Sequence, residues 1–149
     1  ADIWLAQILR QSCHLESQRG RDIRVVPVAV SNHDGVATFR IAARGRASNA
    51  LASSSGSTQM GGIREEQHVP TLTLDTLAQN LPLPSFVKID VEGAEYLVLQ
   101  GASKLITQTR PVFYIEVGGG TFSKVKSVFD DAGFVCFDSK GRCWSNELQ

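Results

Sequence analysis

Two short apolar runs, FVKIDV (86–91) and VFYIEV (112–117), flank a stretch in which Ala94, Leu97, Val98, Ala102, Leu105 and Ile106 recur at helical spacing. Strands separated by a helix of that length cannot close as a hairpin; they are joined by a crossover and run parallel. The alternation continues with KVKSVFDDA, a helix expected to stop at Gly133 in a left-handed terminator. FVCFD and RCW then flank SKG as a C-terminal hairpin. Upstream, Ile3–Leu15 has helical spacing with Asp2 placed as its N-cap. IRVVPVAV (23–30) predicts a strand covered on both faces, with Pro27 favouring an edge or a bulge. After the turn SNHDG, GVATFRI (35–41) alternates as a half-exposed strand, and TLTLDTL leads into a short helix. The expected fold class is α/β, with a largely parallel sheet and an antiparallel edge.

Residues 42–68, AARGRASNALASSSGSTQMGGIREEQH, are poor in large apolar side chains and crowded with Ser, Gly and Ala, which predicts a loop. A structureless stretch of that length in a compact domain is either a disordered insertion or a functional segment. As a substrate-facing lid it would supply Arg40, Arg44, Arg46 and Arg64 as anion contacts.

Length fits one domain over residues 1–149. Fifteen Lys and Arg are matched by 15 Asp and Glu, so no basic stripe calls for nucleic acid. No apolar run approaches the ~18 residues of a membrane span, and the chain reads as cytoplasmic. Cys13, Cys136 and Cys143 are odd in number and lack CxxC spacing, which argues against a disulfide framework or a cysteine zinc site. His14, His33 and His68 are isolated, so no metal is expected. GxSxG, P-loop and GxGxxG motifs are absent, which disfavours hydrolysis, phosphoryl transfer and dinucleotide binding.

The strongest chemical signal is acidic. In an open parallel sheet, ligands bind beyond the carboxyl ends of the strands. Asp90 lies near the end of the strand at 87–91 and Glu92 just after it, Glu116 ends the next strand, and glycine comes after each. Carboxylates there can accept hydrogen bonds from hydroxyl or ammonium groups or withdraw a proton from a nucleophile, which makes Asp90, Glu92 and Glu116 the candidate catalytic residues. An aspartate ending a buried, central strand must be desolvated or paired. Glu92 and Glu95 also suit a purely structural role, since acids are favoured at a helix start.

KIDVEGAEYLVLQGA with RPVFYIEV after it resembles the signature of the FkbM-type methyltransferases, as VVPVAVSNHDGVATF and TLTLDTL resemble that family's upstream segments. The resemblance runs from about Val25 to Phe137. It implies a Rossmann-like methyltransferase sheet, S-adenosylmethionine as cofactor, and O-methylation of a hydroxyl on a small molecule or sugar. It also places Val30 and Ser31 near the adenine and Asp90 near the reacting methyl and the acceptor. Family members begin with a glycine-rich cofactor turn and a strand bearing a ribose-binding acid, and neither precedes Ile3 here. The expectation is an N-terminally incomplete sheet and weak cofactor binding. The alternative is a non-catalytic module that binds a partner or forms a homo-oligomer through an exposed sheet edge.

Overall fold

The computed structural model describes residues 2–17, 20, 22–45, 48–54, 61–118 and 120–144. Helix α1 (Ile3–Ser17) begins where Asp2 Oδ1 accepts the amide N–H groups of Trp4 and Leu5 at 3.0 and 3.2 Å, so the expected cap forms. The other Asp2 oxygen accepts from Asn49 Nδ2 at 3.0 Å, and Asn49 Oδ1 accepts from the Ala42 amide, which ties α1 to the first sheet.

The strand expected over 23–30 is reduced to β1 (Ala29–Val30), and residues 22–28 have no regular structure. Pro27 offers no backbone donor, and β1 has a neighbour on one side only. Ile23 and Val26 are consequently exposed rather than covered. β2 (Gly35–Ala42), β3 (Ala50–Leu51) and β4 (Ile63–Leu72) complete a four-stranded sheet of order β1-β4-β2-β3. β1 runs parallel to β4, whereas β2 is antiparallel to both of its neighbours. The largely parallel single sheet is thus corrected to a mixed one.

Part of the expected 42–68 loop is strand. Ile63–His68 pairs along β2, with Arg40 facing Glu66 in register and bonded to it at 2.9 Å. Cross-strand pairing carries this stretch in spite of its charge, since its outer half is solvated on both faces. Residues 46–47 and 55–60, Arg46 among them, lie outside the described residues. Arg64 donates to the Ala43 carbonyl at 2.9 Å, so Arg40 and Arg64 both have partners within the chain.

Thr73 caps α2 (Leu74–Asn80) through the Thr76 amide, and Asp34 of the SNHDG turn accepts from the Thr73 amide and the Thr76 hydroxyl, both at 2.7 Å. β5 (Phe86–Ile89) and β6 (Val112–Ile115) pair in parallel as a separate two-stranded sheet, connected by α3 (Glu95–Gln100). The crossover expectation holds, but β5 is not central: β6 is its one strand partner among the described residues. The helix expected over 94–106 breaks at Gly101 and resumes as a π-helical segment, Leu105–Thr109. α4 (Phe122–Asp131) ends at Gly133 in the left-handed conformation (φ 67°), as expected. The C-terminal hairpin shrinks to one bridge, Phe137 to Cys143, around a turn held by Asp138.

The main core joins Ile89, Val98, Leu99, Ala102, Leu105, Ile106, Val125 and Phe129. Phe113, Phe129 and Phe134 stack on one another with ring centroids 5.1 to 5.9 Å apart, a spacing favourable for aromatic pairs. A smaller core of Ala29, Leu51 and Val69 lies under the four-stranded sheet. The two halves meet at Gly101. A Cβ there would sit 2.3 Å from the Ser31 carbonyl oxygen and 3.1 Å from Thr73 Cβ. The Gly101 carbonyl accepts the Asp75 amide at 3.0 Å, while the Asp75 carboxylate caps the amides of Lys104 and Leu105.

Helix propensity alone would make Gly101→Ala stabilising by up to about 1 kcal/mol. The close contact with a backbone carbonyl reverses that sign, and the substitution is expected to destabilise by about 1–3 kcal/mol. Urea denaturation measures the difference, and a variant at least as stable as the parent would show that the junction tolerates a methyl group.

Candidate active site

Along β5 and β6, exposed and packed residues alternate, because side chains point to opposite faces of a sheet. Val87, Ile89, Phe113 and Ile115 pack on the helices. Phe86, Lys88 and Asp90, with Val112, Tyr114 and Glu116, stand on the open face. Lys88 Nζ pairs with Asp90 Oδ2 at 2.8 Å. That bond, together with the charge of Asp90 and more weakly of Glu116 and Tyr114, holds the Lys88 ammonium above its usual value. Of the two fates expected for Asp90, pairing is realised and desolvation is not, since 43% of its side chain is exposed. The reason is that, among the described residues, β5 has a strand neighbour on one side only and nothing covers this face.

The chain then turns sharply. Glu92 (φ 50°) and Gly93 (φ 95°) are both left-handed, which glycine adopts freely and glutamate at a cost of roughly 1 kcal/mol. Neither the Glu92 nor the Glu116 carboxylate has a hydrogen-bond or ion-pair partner among the described residues. Burial, and then the charges of Asp90, Glu116 and Glu95, push the Glu92 carboxyl above the ordinary glutamate value. The structure therefore brings the three acids at the strand ends within electrostatic reach of one another. Among the described residues no three His, Cys, Asp or Glu converge closely enough to hold a metal ion.

Val30 and Ser31 lie elsewhere. Val30 packs against the main core, and buried Ser31 donates its amide to the Leu72 carbonyl while its own carbonyl abuts Gly101. They sit beside the C-terminal end of α3 and the acids at its N-terminal end, roughly 10 Å of helix apart. Ser54, in the turn after β3, approaches the acidic turn: its Cβ is 3.9 Å from where a Gly93 side chain would begin. A groove between α2 and the π-helical segment, lined by Ala78, Leu83, Leu105 and Thr109 among others, includes none of the strand-end acids.

Lys88 and Thr121 escaped the sequence reading. Lys88 sits two residues before Asp90, the spacing that puts both on one face of a strand, and that signal was present in KID. Thr121 reaches the buried Glu95 carboxylate at 3.2 Å, a contact between residues far apart in the chain. Gly119, of the glycine run after Glu116, lies outside the described residues.

A carboxyl group whose folded value is raised keeps its stability below the ordinary value and loses it as pH rises through the folded one. Glu92→Gln removes that loss. The variant is expected to melt higher than the parent at about pH 8 and no higher at about pH 4, the window set by an ordinary glutamate and its upward shift. Thermal melts across this range check it; an equal gain at both ends would exclude acid repulsion as the cause.

No curated protein and no solved structure matches the chain. The Methyltransferase FkbM domain pattern does match, over residues 9–136, covering the first sheet, the acidic turn and both cores. With most of its length inside that match, the chain belongs to the FkbM methyltransferase family.

Proposed function

We propose that this chain is an S-adenosylmethionine-dependent methyltransferase acting on a hydroxyl of a small molecule or sugar. The observation that carries the proposal is the meeting of Asp90, Glu92 and Glu116 at the carboxyl ends of two parallel strands, the Glu92 and Glu116 carboxylates having no partner among the described residues. Uncompensated carboxylates fit the cationic end of S-adenosylmethionine, so the donor set suits the cofactor that the family implies. When bound, that cofactor supplies a methyl group on a sulfonium centre.

Asp90, at the mouth of β5, accepts the hydrogen bond of the acceptor hydroxyl and withdraws its proton during transfer, while also facing the cofactor. Lys88 orients the Asp90 carboxylate through their ion pair. Glu92 assists Asp90, and Glu116 adds negative potential from the neighbouring strand. Val30 and Ser31 belong to the adenine end in this assignment, at the far end of α3. The parallel pairs β1–β4 and β5–β6, each in its own sheet, supply the Rossmann-like part of the fold, residues 52–54 border the acceptor, and the protein acts in the cytoplasm. Positioning contributes most of the acceleration.

A second function is favoured by a specific feature: the open face of the β5–β6 pair exposes Phe86, Val112 and Tyr114 at 58%, 63% and 57%, beside a free strand edge. Such a surface suits a non-catalytic module that self-associates.

Calorimetric titration with S-adenosylmethionine and sedimentation of the same sample separate the two. Saturable binding with methyl transfer to a hydroxyl acceptor is expected, and Asp90→Asn should lower kcat by about 10²–10⁴-fold, as for loss of a general base. Self-association without cofactor binding would support the second function instead.

A further inference from the structure

Glu95 is 1% exposed and has no cationic partner among the described residues. A carboxylate in such a place is unfavourable unless hydrogen bonds replace its hydration. Two do: Oε1 accepts the Gly93 amide N–H at 2.8 Å, and Oε2 accepts the Thr121 hydroxyl at 3.2 Å. The position at the first turn of α3 explains an acid in general, but not a connection to Thr121, which belongs to the start of α4. Gly93 is in the turn bearing Glu92 and follows Asp90. Thr121 closes the loop after Glu116, its amide donating to the Gly118 carbonyl at 3.1 Å and its hydroxyl lying 3.2 Å from the same oxygen.

We infer that Glu95 is a positioning residue, whose buried carboxylate bridges the Gly93 amide and the Thr121 hydroxyl and so sets the spacing between the acid-bearing turn after β5 and the acid-bearing loop after β6. The left-handed backbone of Glu92 costs free energy and persists when the surrounding structure over-determines it. Glu95 supplies that anchor from one side and carries it across to α4. α3 packs against α4, and the Glu95 side chain is buried there. The functional part of the inference rests on the methyl-transfer assignment above; the geometric part does not.

Thr121→Val removes one arm of the bridge while keeping the shape of the side chain, and Thr121→Ser keeps the hydroxyl. Carbon-13 titration of the Glu92 carboxyl reads the geometry of the turn, since burial first and then the facing charges of Asp90, Glu116 and Glu95 hold it above the ordinary value, and both depend on how close the loop after β6 lies. In Thr121→Val the Glu92 midpoint should fall toward the ordinary glutamate value, and in Thr121→Ser it should stay with the parent. Methyl transfer should lose about tenfold to a hundredfold in kcat with KM little changed in Thr121→Val, the size expected of a small misplacement, and Thr121→Ser should restore it. A Glu92 midpoint unmoved by Thr121→Val would overturn the inference, as would a serine variant that falls with the valine one. If the parent transfers no methyl group, the assignment of function fails, and the midpoint still decides whether the bridge sets the spacing.

Discussion

The contact of Gly101 with the Ser31 carbonyl is the constraint on which the arrangement turns. The four-stranded sheet and the β5–α3–β6 unit have separate cores, and among the described residues no strand joins them. What joins them is a place where a helix end approaches a strand end more closely than any side chain permits. Asp75 secures it from both directions, giving its amide to the Gly101 carbonyl and its carboxylate to the helical segment that follows. Because α3 spans from this junction to the acidic turn, its length sets how far the end of β1 lies from Asp90.

At the other end of α3 the energetics run against stability. Glu92 has strained backbone, partial burial and three negative neighbours, and none of these helps the chain fold. Local costs of this kind persist where the surrounding structure over-determines them, and they gather at functional sites. Here the surroundings are Glu95, held by the Gly93 amide and Thr121, and Lys88, which steadies Asp90 on the open face.

Much of the second half was legible in the chain because its signals are local. The apolar spacing of Ala94, Val98, Ala102, Leu105 and Ile106 marks the buried stripe of the crossover, and those residues are buried. Asp2 and Gly133 act at the helix ends that their chemistry suits. The break at Gly101 was not legible, because a glycine inside a good helical pattern looks the same whether it is tolerated or required. The strand at Ile63–His68 was hidden for a related reason. REEQ has no apolar alternation, and the pairing that makes it a strand is supplied by β2, more than twenty residues earlier.

The sequence by itself determined the α/β character, the parallel connection through α3 and the identity of the strand-end acids, since each follows from periodicity or from residue type at a helix or strand end. Tertiary structure alone decided that the strands form two sheets, that Asp90 is solvated and paired with Lys88, that Val30 and Ser31 lie across α3 from it, and that Glu95 reaches Thr121. Those outcomes depend on which edges find partners and which faces find cover. Such non-local choices leave no periodic trace, because the energy comes from surfaces meeting in space and not from neighbours along the chain.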